Sequence, residues 1–244
     1  MNTQIKSKQR VEDHGEVFTA EREVNAMLDL VNTESERVDS RFLEPACGDG
    51  NFLSEILRRK LDVAKRLSVP PRKRKIQPAE FEKQSVIAVT SIYGIDLLID
   101  NVISCRKRLF QIWYKAYSDI CANSTDPNCI DAVKFILSRN VICGNALSMK
   151  QVDENCNDLE EPIIFSEWSF VTGSIMQRRD FRFDKLLAGE YEPKFGDTQS
   201  IQSNADGQLE LFGGFDGSTD DHADEGELLK EYIADYRRIQ NDGK

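Results

Sequence analysis

The sequence predicts an α/β fold, a doubly wound and mostly parallel sheet, followed by a flexible acidic C-terminal tail. Three observations lead there. Short apolar runs at 41–44, 92–96, 140–143 and 163–165 have the length and composition of buried strands. Between them stand segments whose apolar residues recur every three or four positions, the helical period. Strands that alternate with helices belong to βαβ units, in which helices join parallel neighbours. At 244 residues the chain suits one such domain with appendages.

The elements follow in order. Residues 1–15 form a polar lead-in. Val24, Met27, Leu28 and Val31 lie on one face of a helix within 20–31. The strand at 41–44 runs through a glycine-containing turn into a helix over 51–67, which Pro70-Pro71 stops. A basic cluster runs from Lys65 to Lys75 and reads as a solvated loop. A helix over 78–91 leads to the strand at 92–96. A long helix over 98–120 carries Val102, Leu109, Ile112 and Trp113, and a shorter one near 130–138 precedes the strand at 140–143. The run at 163–165, bounded by Pro162, reads as a fourth strand, and 182–187 as a last short helix. This gives a domain over 16–189. Residues 190–226, rich in Gly, Ser, Asp and Gln, read as an acidic linker. Residues 227–240 place Leu228, Leu229, Tyr232, Ile233 and Tyr236 on one face of an amphipathic helix, with nothing nearby in sequence to bury it.

Composition excludes several classes. Charged residues are 30% of the chain, and no apolar run approaches the roughly 18 residues of a membrane span. Residues 1–10 are polar and basic, without the hydrophobic stretch of a secretory signal. The six cysteines are scattered, with no Cys-x-x-Cys pair, and the chain has two histidines, so a zinc site is not expected. Reduced thiols of a cytoplasmic protein are. Net charge is -10, yet nine acids and no Lys or Arg lie between Lys194 and Lys230. Without that tail the body is close to neutral, which excludes a protein that wraps DNA but not one that touches it lightly. Glu190-x-Glu192-x-Lys194 has the spacing of a metal-dependent nuclease centre, but a linker does not supply rigid ligands.

Parallel sheets bind ligands beyond the carboxyl ends of their strands. After the first strand stand Gly48 and Gly50, then Phe52 and Leu53 opening a helix. The glycines permit a tight turn, and a helix N-terminus presents free amides. A bare Gly-x-Gly is equally well a structural turn. A dinucleotide loop wants a small residue where Leu53 stands, which counts against NAD and FAD. After the second strand, Asp96 can accept both hydroxyls of a ribose or cap the next helix. After the third, Asn145 can donate to and accept from an adenine edge.

Together these segments resemble the DNA adenine-N6 methyltransferases of restriction–modification systems. Phe42-Leu-Glu-Pro-Ala-Cys-Gly-Asp-Gly-Asn-Phe-Leu53 is similar to their cofactor loop. His14-Gly-Glu-Val-Phe-Thr19 resembles the segment that precedes that loop. Tyr93-Gly-Ile-Asp96 and Gly144-Asn-Ala-Leu147 match the second and third cofactor segments in order. The resemblance covers roughly residues 11–187. It implies a Rossmann-like class I methyltransferase fold and S-adenosylmethionine as methyl donor. It places the donor against Phe18, Thr19, Glu44, Pro45, Ala46, Cys47, Gly48, Gly50, Phe52, Asp96, Leu97, Asn145 and Ala146. In these roles Phe18 packs on the cofactor, Thr19 meets its methionyl carboxylate, and Asp96 holds the ribose.

Three departures bear on function. Ala20 stands where the family has proline, and Asn145 where it has aspartate. The family's Asn-Pro-Pro-Tyr or Asp-Pro-Pro-Tyr, which holds the flipped adenine, is absent from the chain. At that place stands Ser166-Glu-Trp-Ser169, so Ser166, Glu167 and Trp168 are the positional candidates for catalysis: Trp168 to stack on the base, Glu167 or Ser166 to accept from its amine. The sequence reads equally as a strand end with a partly buried Trp. A DNA-reading region of on the order of a hundred residues is also missing. The partners expected are therefore DNA and a second protein subunit, with the helix at 227–240 as its docking element.

Overall fold

The computed structural model describes residues 19–187 and 229–241. It is a mixed α/β structure built around a parallel sheet. Helix α1 (Glu21–Leu30) buries Val24 and Leu28, one helical turn apart, and is followed by the short α2 (Asn32–Ser35). Strand β1 (Phe42–Glu44) leads into α3 (Asn51–Leu67), whose buried face includes Leu53, Ile56, Leu57, Leu61 and Ala64. Ser68 ends α3, its hydroxyl donating to the carbonyl of Ala64. Helix α4 (Pro78–Thr90) starts with proline at a first-turn position, where no amide partner is needed. Strand β2 (Ile92–Asp96), the long α5 (Ile99–Cys121), α6 (Pro127–Asn140) and β3 (Val141–Cys143) follow. Asp126 caps α6 by accepting from the N–H of Asn128 at 2.8 Å.

β1, β2 and β3 form a three-stranded parallel sheet in that order, with Phe42 opposite Ile92 and Asp96 opposite Cys143. Ile92, Tyr93 and Ile95 are buried in the centre. Helices α3 to α6 pack on one another, and α3, α5 and α6 also pack on the sheet. Stacked Trp113 and Tyr117, 4.7 Å apart, anchor that layer. Lys60, on α3, is fully buried, and its ammonium donates to the carbonyls of Arg37, Val38 and Ser40, fastening the segment that enters β1.

The chain then changes architecture. β4 (Lys150–Val152) and β5 (Asp158–Pro162) form an antiparallel hairpin. β6 (Ile164–Thr172), β7 (Ile175–Arg182) and β8 (Lys230–Asp235) form an antiparallel sheet in that order, with the short α7 (Phe183–Leu187) after β7. The apolar run at 163–165 is thus not a fourth strand of the parallel sheet. Its last two residues open β6, which pairs with β7 along eight register positions.

The expected amphipathic helix over 227–240 is also corrected. Residues 230–235 are strand β8, and Tyr236–Asn241 form a 3-10 helix. Within this chain Tyr236 and Ile239 are buried. The Tyr236 hydroxyl and the Arg237 guanidinium both donate to the carboxylate of Glu82 on α4, which also accepts from Tyr117 at 2.6 Å. Alternation of residues across a pleated strand and helical periodicity are hard to tell apart over so short a run, and the partners were far away in sequence. The polar lead-in and the acidic linker lie outside the described residues. Among the described residues no helix is long and apolar enough to cross a membrane.

Candidate functional site

The carboxyl ends of the three parallel strands converge. The loop after β1 is tied to β2 by the N–H of Cys47, which donates to the Ile95 carbonyl at 2.9 Å. The loop after β3 is tied to β2 by the N–H of Gly144, which donates to the Asp96 carbonyl at 3.0 Å. Asp96 itself joins all of this: its carboxylate accepts from the N–H of Gly48 at 2.9 Å, the N–H of Leu98 at 2.9 Å and the Asn101 amide at 3.1 Å. A carboxylate has roughly four lone-pair sites, so at least three are engaged within the chain. Asp96 can accept one ribose hydroxyl as it stands, and both only by releasing an internal partner. It also serves as the brace of the loop; the next helix has Leu98 as its N-cap without a side-chain cap, and Asp96 meets it through the Leu98 N–H and the Asn101 amide.

The glycines have different local causes. Gly48 (φ 52°) and Gly50 (φ 89°) are both left-handed, which glycine adopts without strain. A side chain on Gly48 would point into open space, leaving its backbone approachable by a ligand. One on Gly50 would sit 2.7 Å from the sulfur of Cys105. Gly50 is also the N-cap residue of α3, with no side-chain cap on that helix start. Pro45 and Ala46 are exposed beside this loop, Phe52 is partly buried in the first turn of α3, and Cys47 is buried beneath it. Burial pushes the Glu44 carboxyl up, opposed by a long hydrogen bond from the Ala46 N–H at 3.4 Å.

Sequence reading missed Arg108. From α5 its guanidinium donates to Asp49 at 2.7 Å and to the side-chain oxygen of Asn51, holding both sides of Gly50. No signal in the sequence joins positions 57 to 59 residues apart. Thr19 is exposed and borders the groove of about 1110 Å³ that Asp49, Asn51 and Arg108 also line. Phe18 lies outside the described residues. Leu97 is exposed and Ala146 half-buried at the other strand ends.

Asn145 does not present a free amide. Its side-chain oxygen accepts from the N–H of Leu147 at 3.0 Å, and its nitrogen donates to Asp158 at 3.0 Å. The residue shapes its own loop. Contact with an adenine would require this amide to exchange partners.

Ser166, Glu167 and Trp168 do not stand at a strand end facing this site. They lie inside β6 and all three are buried. Ser166 donates to Asp180 at 2.6 Å, and Arg139 and Arg178 pair with the same carboxylate. Glu167 is held between Arg41 at 2.8 Å and Arg179 at 3.0 Å. The Trp168 indole donates to Asn140 at 2.8 Å, and Asn140 in turn donates to the carbonyls of Thr90 and Ile92. A Trp so enclosed cannot stack on an extruded base, and a carboxylate so paired is not available to an incoming amine. These residues join the antiparallel sheet to the rest of the fold.

Of the basic cluster, Lys65 lines the same groove, and the rest is remote. Arg72, Lys73, Arg74 and Lys75 are exposed beyond the C-terminus of α3, a helix about 25 Å long whose other end carries the glycine loop. Among the described residues no group of three or more His, Cys, Asp or Glu is arranged to hold a metal ion. No protein-family model, curated protein or solved structure matches this chain.

Proposed function

We propose that this chain binds S-adenosylmethionine and serves as the cofactor-binding subunit of a DNA adenine-N6 methyltransferase, in the cytoplasm, as part of a restriction–modification or related defence system. In this reading β1 to β3 are the cofactor half of a Rossmann-like, doubly wound class I methyltransferase fold. The observation that carries it is the convergence of Gly48, Asp96 and the Gly144-Asn145 loop at adjacent carboxyl ends, in the chain order of the family's cofactor segments. The open space over Gly48 and the free amides at the start of α3 fit the carboxylate of a nucleoside-bearing ligand.

Bound there, S-adenosylmethionine supplies an electrophilic methyl group. This chain's residues bind and orient: Asp96 accepts from the ribose, and the α3 N-terminus with Thr19 meets the methionyl carboxylate. Transfer to an amine mainly requires its lone pair to be aimed at the methyl group. With Ser166, Glu167 and Trp168 enclosed, that aiming falls to a second protein chain, which also reads the DNA. The same enclosure favours a second reading, a catalytically inactive S-adenosylmethionine-binding module that scaffolds a modification complex.

Calorimetric titration tests the shared part. Wild-type chain binds S-adenosylmethionine, and Asp96→Ala weakens binding by about 1–3 kcal/mol, the scale of losing a charged hydrogen-bond partner. No heat with wild-type chain overturns both readings. Radiolabelled methyl transfer to DNA, with the chain alone and with the product of the adjacent gene, separates them: transfer in the pair supports the subunit, and none in any pairing leaves the scaffold.

A further inference from the structure

Two of the six cysteines meet beside the candidate cofactor site. Cys143 ends β3, and Cys156 stands in the turn between β4 and β5. Both thiols are directed at one atom, the carbonyl oxygen of Leu97, at 3.5 and 3.6 Å. The sulfurs therefore lie no farther apart than those two contacts together span. Both side chains are half-exposed, whereas Cys47, Cys105, Cys121 and Cys129 are buried.

The turn aims Cys156 inward. Its N–H donates to the Asp153 carbonyl at 3.1 Å, and the Asp153 carboxylate accepts from the N–H groups of Asn155 and Asn157 at 2.8 and 2.9 Å. Cys156 holds φ 63°, a left-handed conformation that costs an L-residue about 1–2 kcal/mol. Neighbouring Asn155 and Asn157 are exposed, so it is the cysteine of this turn that is turned towards the body. The buried thiols differ from the pair in access. Burial raises Cys121 to about 11 and pushes Cys129 higher still, contact with Cys105 and then burial raise Cys47, and burial also pushes Cys143 up. Access to a soluble oxidant therefore sets Cys143 and Cys156 apart from the other four.

We propose that Cys143 and Cys156 are an oxidisable pair whose disulfide straps the β4–β5 turn to the end of β3 across Leu97. A peroxide is the oxidant. One thiol attacks a peroxide oxygen, the O–O bond breaks, and the products are a sulfenic acid and water. The second thiol attacks the sulfenic sulfur, the S–O bond breaks, and a disulfide and a second water form. Two electrons pass from the sulfurs to the peroxide, and a dithiol returns them. Bond formation brings the sulfurs to about 2 Å, so the hairpin tip moves inward. A regulatory disulfide of this kind is transient in a reducing cytoplasm. Its effect on ligand binding rests on the cofactor reading, because Leu97 and Asn145 flank the strap.

The test uses the full chain, treated with hydrogen peroxide or with dithiothreitol. Proteolysis and mass spectrometry then follow, with S-adenosylmethionine titrated into each form. The expected result is a peptide linking Cys143 to Cys156, lighter by two hydrogens and absent from Cys156→Ser. S-adenosylmethionine affinity falls at least about tenfold in the oxidised wild type, the scale of 1.4 kcal/mol, and is unchanged by peroxide in Cys156→Ser. Free Cys156 after peroxide, or a link between Cys47 and Cys105 instead, overturns the pair. A link with unaltered affinity overturns its effect on the site. A link in a chain that never binds S-adenosylmethionine upholds the pair and overturns the cofactor reading.

Discussion

Gly48 and Gly50 stand two residues apart and need glycine for different reasons. A methyl group on Gly48 meets nothing, so Gly48→Ala costs only the left-handed backbone, about 1–2 kcal/mol, and its larger effect is on ligand approach. Gly50→Ala adds a clash with Cys105 and is the more destabilising of the two, with chemical denaturation giving the order. Lys60 is the other residue whose chemistry the fold alters. Burial lowers it to about 7, while the unfolded chain keeps it near 10.4. Between those values the unfolded state binds the extra proton, so this group makes stability rise with pH across the window and contributes nothing further above it. Raised cysteines work in the opposite sense as pH rises past about 8.5. The expected outcome is therefore read as a difference: from pH 7 to 9 wild type gains stability relative to Lys60→Met, measured as denaturation midpoints. A flat difference means the three carbonyls keep the ammonium charged.

At the scale of elements, the βαβ half was legible because each helix and strand there carries its own signal. Proline opens α4 and α6, glycines open α3, and apolar residues recur at the helical period through α5. The antiparallel half was not. Ile163-Ile-Phe165 reads as a buried strand whichever sheet it joins, since pairing partners are set by distant residues. Strand β6 is where this matters for function, because its position decides that Trp168 is structural. Trp168→Ala is expected to cost about 3–5 kcal/mol in denaturant unfolding, the scale of a buried Trp truncation. Cofactor affinity measured on the remaining folded protein stays unchanged. Unchanged stability with loss of methyl transfer to DNA in the paired assay would return Trp168 to the base-stacking role.

For the whole molecule, the C-terminal segment closes the fold. Tyr236 and Ile239 are buried, and Arg237 compensates the buried Glu82. Removing residues 229–244 is expected to lower stability by at least about 3 kcal/mol, counting only two buried side chains at roughly 1.5–3 kcal/mol each. An unchanged urea midpoint would mean the segment is not docked in solution. The sequence by itself determined the glycine loop, the acid after β2 and the turn after β3, because those depend on neighbours within a few residues. Tertiary structure alone decided that Asp96 braces the Gly48 loop, that Asn145 is spent on its own turn, and that Ser166, Glu167 and Trp168 are enclosed. These outcomes depend on contacts between residues tens of positions apart, whose geometry no local spacing encodes. The loop on which the proposed donor site rests was therefore readable early, and the enclosure of Ser166, Glu167 and Trp168 became clear only when β6 was placed.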